Sequence, residues 1–219
     1  MKKIILSFVL LLLFSTCTLA QFDGGIGRGD FSIAFSDPSS NANIILVAGS
    51  NGANGYYSSL SNASGAFSAV NGKDQSGEII TVIILGNSTS EAGTIGLTEG
   101  AWTTLTIYPT STNLIISGTA GGPHITVDGA DRVTIDGRVN ASGAIKSLTI
   151  SNIRFINTSI GNKIKYCSIT GDLSMSGSSY STMEGEMTVG GNLTLEGESM
   201  LSTSSTSTLT VSGIFTLLP

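Results

Sequence analysis

The sequence predicts an all-β chain wound as a parallel β-helix, a solenoid, behind a short N-terminal capping helix. Three observations carry this. The residues in excess are Gly, Ser and Thr: 28 Gly, with Ser and Thr together about a quarter of the 219 residues. They occur beside β-branched Ile and Val, and together these favour strands and tight turns. A short unit, apolar–Thr/Ser–apolar, recurs from Leu105 to Val211 and is often followed by Gly, Asn or Asp. Several copies fall about 20 residues apart, the repeat of a stacked coil.

The same composition excludes other classes. Charged residues are 11% of the chain, under half of the roughly 25% of an ordinary domain. The aliphatic content argues against disorder. Glycine shows no collagen period. Two Cys are too few for a disulfide-stapled miniprotein. A net charge of −5 argues against a basic nucleic-acid face. A helical bundle wants Ala, Glu, Lys and Leu.

Residues 1–20 read as a secretory signal peptide. Met1-Lys2-Lys3 is a positive head, Ile4 to Phe14 is apolar except for Ser7, and Thr18-Leu19-Ala20 is a small-residue end before Gln21. The apolar run is shorter than the about 20 residues that span a bilayer. The alternative is a lipoprotein signal with Cys17 as the lipidated residue, against which Thr16 is a poor fit. Cleavage before Gln21 leaves Cys167 alone, and its strand-like setting, sharing a face with Ile169, predicts burial.

Residues 21–76 form a leader and N-terminal cap. Within them Ile44-Ile45-Leu46-Val47 reads as one strand. Leu60, Ala63, Phe67 and Val70 sit at helical spacing, with Ser58 or Ser59 as cap and Asn71-Gly72 as stop. That segment is placed to cover the first coil. Residues 77–219 are the coils. Glu78 to Leu85 is a buried strand, and the units beginning at Leu105, Ile125, Leu148, Ile169, Leu193 and Leu209 mark successive turns. A sandwich or barrel of short antiparallel strands also accommodates many strands, but the near-regular spacing and the Asn-Gly and Asp-Gly corners favour stacked coils. About six coils are expected, with Ile, Leu and Val stacked inside and Thr and Ser laddered outside.

Ile125-Thr-Val-Asp-Gly-Ala-Asp-Arg-Val-Thr-Ile-Asp-Gly-Arg138 resembles a block found in exported Bacteroidetes proteins. Lys146 to Asn157, Asn162 to Ile169, Gly24 to Asp30 and Tyr57 to Asn71 are similar to the same proteins. The resemblance covers most of residues 21–170. It implies a pectin-lyase-like, right-handed β-helix, secreted or held at the cell surface, and for many such proteins a C-terminal signal for type IX secretion. This chain departs from that pattern in length and in stopping at Leu217-Leu-Pro219 within a repeat, as a truncated frame or a small paralogue would.

Asp128, Asp131 and Asp136, with Arg132 and Arg138, are the one dense group of charges. Arg154, Lys163 and Lys165 follow a coil later. Clustered carboxylates beside a basic group are what a polysaccharide lyase or hydrolase uses, so Asp128, Asp131, Asp136 and Arg138 are the candidate catalytic set. The competing reading makes them corner residues and solvated bases, because Asp128 and Asp136 each precede Gly. His124 is the sole His and reads as a loop residue, which excludes a multi-His metal site. Gly24 to Asp30 has the outline of a single calcium nonapeptide with one extra residue, and it contains Arg28-Gly-Asp30 as a chance tripeptide. Trp102 and Tyr108 either stack on sugars or pack against the first coils. No metal, cofactor or nucleic acid is expected. The predicted role is a non-enzymatic structural or adhesive module whose partner is a polysaccharide or a cell-surface glycan, with the lyase or hydrolase as the alternative.

Overall fold

The computed structural model describes residues 44–118 and 121–219. The segment read as a signal peptide, Cys17 and the Gly24–Asp30 stretch lie outside the described residues.

The chain enters as an antiparallel hairpin, β1 (Ile45–Ala48) and β2 (Gly55–Tyr57). A six-residue helix, α1 (Ala66–Asn71), follows and buries Ala66, Phe67 and Val70. The coils then begin. The first holds β3 (Ile79–Ile84) and β4 (Leu97–Thr98), with a lone parallel bridge from Ser88 to Ile116 where a middle strand would lie. The second holds β5 (Thr104–Pro109), β6 (Leu114–Ile116) and β7 (Ile125–Asp128). The third holds β8 (Val133–Asp136), β9 (Leu148–Ile150) and β10 (Ile153–Ile156). The fourth holds β11 (Asn162–Lys165), β12 (Cys167–Ile169) and β13 (Leu173–Met175). The fifth holds β14 (Tyr180–Glu184), β15 (Glu186–Val189) and β16 (Leu193–Glu196). The last holds β17 (Met200–Thr203), β18 (Thr208–Val211) and β19 (Phe215–Leu218).

Strands of successive coils pair in parallel and build three sheets. The first runs β3-β5-β8-β11-β14-β17 and is extended by the antiparallel hairpin at β3. The second runs β6-β9-β12-β15-β18, and the third runs β4-β7-β10-β13-β16-β19. This is a parallel β-helix of six coils among the described residues. Side chains alternate in and out along each strand. Because pairing is in register, inward residues stack into columns: Val82, Ile107, Ile135, Ile164 and Met183 on the first sheet, and Ile125, Ile153, Leu173 and Leu193 on the third. These residues are at most 3% exposed. Outward columns are hydroxyl-rich. Thr81, Thr106 and Thr134 line up on the first sheet, and Thr149, Ser168, Thr188 and Thr210 on the second.

Two expectations are corrected in detail. The regular spacing of about 20 residues does not run through one face. Leu105, Ile125 and Leu148 belong to the first, third and second sheets respectively. The early coils are longer, since Leu105 pairs with Val133 and Leu114 with Leu148. The segment 137–147 between β8 and β9 enlarges the third. A true period of 20 appears in the later coils, from Ile153 to Leu173 to Leu193, Ser168 to Thr188 and Tyr180 to Met200, where the corners shrink to a few residues.

The helix is also shorter than its periodicity predicts. Ala63 is exposed, and the helix starts after Gly65, without a side-chain cap. The preceding turn is held otherwise. Phe67 N–H donates to Leu60 O at 3.0 Å and Ala66 N–H to Ser59 O at 3.0 Å. A Cβ at Gly65 would stand 2.5 Å from that Leu60 oxygen, so only glycine closes this turn. The Leu60 and Ser61 N–H groups donate to the Glu91 carboxylate, each at 2.7 Å. The Ser61 and Ser88 hydroxyls complete its shell. Glu91 is 1% exposed and fastens the cap to the first coil.

Inward and outward positions should respond differently to substitution. Ile135 is fully buried and Thr134 faces outward beside it. Ile135→Asp places an unpaired carboxylate in the core and costs several kcal/mol. Thr134→Ser costs at most about 1 kcal/mol. Thermal melting of the two variants checks this, and equal losses would contradict the assigned faces.

Candidate functional site

The structure separates the carboxylates that the sequence groups together. Asp128 ends β7 and faces out of the third sheet. Asp131 sits in the corner between the third and first sheets. Asp136 ends β8 and faces out of the first. Each is engaged by a neighbour. Asp128 Oδ1 accepts from Asn157 Nδ2 at 2.7 Å. Asp131 Oδ1 accepts the Ile160 N–H at 2.7 Å and so ties its corner to the next coil. Asp136 is 2% exposed and is gripped by Arg138, whose Nε reaches Oδ1 at 2.8 Å and Nη2 reaches Oδ2 at 2.6 Å. The Arg138 backbone N–H adds a third bond to Oδ1 at 3.1 Å. The Asp-Gly-Arg spacing makes this possible, since the corner at Gly137 turns residue 138 back over residue 136. The Asp136 hydrogen bond holds the guanidinium above its ordinary value, against the opposing effect of burial.

The bases one coil on are paired as well. Glu184 bridges Lys163 at 3.0 Å and Lys165 at 2.6 Å across β11 and β14. The Lys165 hydrogen bond, followed in weight by burial in the opposite sense and then by Lys163, holds Glu184 below the ordinary 4.5. At the next corner the Tyr166 ring lies under the Arg138 guanidinium, 4.8 Å from centroid to Cζ. The same ring fills the space above Gly185, where a Cβ would collide with it. Arg132 is likewise taken up, by Glu99 at 2.6 Å and by the Trp102 carbonyl through Nε at 2.9 Å.

Cys167 is fully buried, as its strand pattern predicts, in the column between Leu148 and Met187. Burial pushes its thiol far above the ordinary range, with the charge of Asp136 adding to the effect. Trp102 is 1% exposed and donates its indole N–H to Asp131 O at 2.8 Å, so it is a packing residue. Tyr108 is half-buried on the outer face of β5. His124 lies in a loop as expected, yet it is 3% exposed, with neither ring nitrogen hydrogen-bonded among the described residues. Glycines make room for it: a Cβ at Gly118 would stand 2.8 Å from Nε2. Among the described residues no cluster of three or more His, Cys, Asp and Glu could hold a metal ion.

The arrangement that the sequence reading missed is on the third sheet. Asn152 Oδ1 accepts the Asp172 N–H at 2.7 Å, Asp172 Oδ1 accepts the Asn192 N–H at 2.7 Å, and Asn192 Oδ1 accepts the Ile214 N–H at 2.9 Å. This side-chain ladder turns the corner into the third sheet in coil after coil. A Cβ at Gly171 or Gly191 would collide with the ladder oxygen, which accounts for the Gly-Asp and Gly-Asn pairs. Gly121, Gly122 and Pro123 lie over this corner, where Asn152 Nδ2 donates to Gly122 O at 3.2 Å. Between loop and sheet lies a half-open cleft of about 230 Å³. Its floor is Arg154, Ser174 and Thr194, which form one outward column, and its edge is Asp172 and Asn192. Arg154, read as a scattered base beside Lys163 and Lys165, in fact faces out of a different sheet. Two signals in the sequence mark the cleft: the 20-residue spacing of Asn152, Asp172 and Asn192, and the Gly121-Gly122-Pro123 insertion.

Two outcomes are expected. The Cys167 thiol stays unlabelled by a thiol reagent in the native protein at mildly alkaline pH and reacts on unfolding; labelling at the unfolded rate would contradict its burial. Because the folded value of Glu184 is depressed, its stabilisation is present above 4.5 and is lost as pH falls through the folded value. The stability advantage over Glu184→Gln should therefore shrink between neutral pH and about pH 3, followed by chemical denaturation. Comparison with family models, with curated proteins and with solved structures returns no match for this chain.

Proposed function

We propose that this protein is an exported, non-enzymatic structural or adhesive module that binds glycans on its hydroxyl-rich outer faces. The observation that carries the reading is the pairing of charges. Asp136 and Arg138 saturate one another, Asp131 secures a corner, and Glu184 neutralises two lysines. A general acid or base needs a free lone pair or proton within reach of substrate, whereas these groups are committed to partners within the protein. The outer faces instead repeat Thr and Ser at the strand spacing of about 4.8 Å, presenting hydroxyl donors and acceptors in rows. The apolar run in residues 4–14 behind two lysines supports export through a cleaved signal, and the resemblance of residues 120–170 to exported Bacteroidetes β-helix proteins supports a place outside the cell or on its surface.

The alternative is a polysaccharide lyase or hydrolase working through Asp128, Asp131, Asp136 and Arg138. A panel of acidic and neutral polysaccharides separates the two. Saturable retention without turnover is expected. Release of unsaturated or reducing ends that disappears in Asp136→Ala would overturn the structural reading.

A further inference from the structure

Three arginines lie among the described residues, and two of them have their forks filled. Arg132 gives Nε to a carbonyl and Nη2 to Glu99. Arg138 closes both arms on Asp136. Arg154 differs. It takes part in none of the ion pairs of the described residues, and its Nε is out of contact with solvent with no hydrogen-bond partner. A guanidinium carries five donors and stays charged at any physiological pH. Leaving one out of water and unpaired is costly. No acceptor among the described residues closes this fork, and the side chain lines an open cleft, so the acceptor that fits it comes from outside.

Its setting narrows what that acceptor is. Arg154 stands in an outward column with Thr126 before it and Ser174 and Thr194 after it. The cleft walls are the Gly121-Gly122-Pro123 loop and the ladder corner, and no aromatic ring lines them. Such a lining offers hydroxyls, amides and backbone polar groups rather than an apolar pocket, which suits a polyhydroxylated ligand better than an apolar one. At about 230 Å³ it is smaller than the roughly 300–1,000 Å³ of enclosed small-molecule pockets. It suits a sugar-sized group of a longer chain that continues along the coils.

We propose that the third-sheet cleft is a subsite for an anionic saccharide, with a carboxylate or sulfate of the sugar held by the Arg154 guanidinium and its hydroxyls by Ser174, Thr194 and Asn192. The proposal rests on the glycan-binding reading and locates it. Both oxyanions match the planar fork through paired, charge-assisted bonds. Asp172 at the cleft edge sets an opposing charge. Its Oδ1 is committed to the Asn192 N–H, and an asparagine there keeps that bond, as Asn152 does one coil earlier. The two charges can therefore be altered separately without breaking the ladder.

The test is calorimetric titration of the full chain with an alginate oligosaccharide (carboxylate), a carrageenan oligosaccharide (sulfate) and a cello-oligosaccharide (neutral) of equal length. Binding of at least one anionic chain in preference to the neutral one is expected. Arg154→Gln should weaken it by about tenfold or more, and Asp172→Asn should strengthen it severalfold. Melting temperatures should stay close to that of the parent, since neither change removes an internal partner. Which anionic chain binds distinguishes carboxylate from sulfate. Retention that Arg154→Gln leaves unchanged would overturn the cleft while sparing glycan binding elsewhere on the coils. If none of the three is bound and the wider polysaccharide panel is also not retained, the glycan reading falls and the cleft with it.

Discussion

Zero-offset register between coils is the constraint on which the rest of the molecule depends. Leu173 lies on Ile153 and under Leu193, and Ser174 lies on Arg154 and under Thr194. A slip of one residue would exchange these two columns and carry every inward side chain to solvent. Register is therefore secured at the corners as well as by the ladders of strand bonds. The Asn152–Asp172–Asn192 oxygens each take the next coil's N–H, and Asp131 does the same for Ile160. Asn162 shows the constraint at its most demanding. It is an inward, fully buried amide at the start of β11. Its Oδ1 accepts Val133 N–H at 2.8 Å and its Nδ2 donates to Ala130 O at 2.9 Å. Both partners belong to the preceding coil, so the amide is satisfied only in the correct register. A buried polar group with a single satisfactory arrangement disfavours the alternatives.

A stack of parallel coils exposes an unpaired edge wherever a coil is not covered. At the N-terminal side the first sheet is extended by β1 and β2, which run antiparallel and take up the β3 edge. The helix residues Phe67 and Val70 fill the space beneath. The join is made by polar groups. Glu91 receives the N–H groups of Leu60 and Ser61 and two hydroxyls, and Gln75 receives Ser50 Oγ at 3.0 Å while donating to Val70 O at 3.2 Å. These buried acceptors settle backbone donors in irregular segments that no strand could satisfy. On the last coil Leu217 continues the column of Phe155, Met175 and Leu195, yet it is 68% exposed, since among the described residues it is packed from one side only.

Local pattern made the strands legible, because apolar–Thr–apolar triplets alternate at the strand period and the inward residues are β-branched or long. The same alternation placed Cys167 inside, whereas the sequence left Trp102 open between stacking on sugars and packing. The coil length was not legible. Triplets look alike on all three sheets, so spacing alone does not say whether two of them share a face, and insertions such as 137–147 change the count without changing the triplets. The helix is shorter than its spacing suggests for a related reason: Leu60 and Ala63 have helical spacing from Phe67, but the Ser59 and Leu60 carbonyls accept the N–H groups of Ala66 and Phe67, seven residues on, where a helix pairs residues four apart. The candidate carboxylates were misgrouped because nearness in sequence is a poor guide in a coil. Asp128 and Asp136 are eight residues apart and face out of different sheets, whereas Arg154 and Ser174, twenty apart, are neighbours.

The shortage of charge in the composition takes on meaning once the pairs are placed. A long side chain in an outward column loses rotamer freedom against the hydroxyls on either side, so Thr and Ser are the economical occupants and a charged residue there calls for a local reason. For Lys163 and Lys165 the reason is Glu184, one coil on. For Arg138 it is Asp136 together with the Tyr166 ring. Asp172 is held by the ladder itself. Arg154 has the same entropic disadvantage, and in addition a shielded, unpaired Nε, with no ion pair among the described residues to offset either. Thr126 and Ser174, its neighbours in the column, show that a short hydroxyl residue suits the coil geometry at this position. The stability of the coil alone does not account for an arginine there, and the open fork facing a polar cleft does.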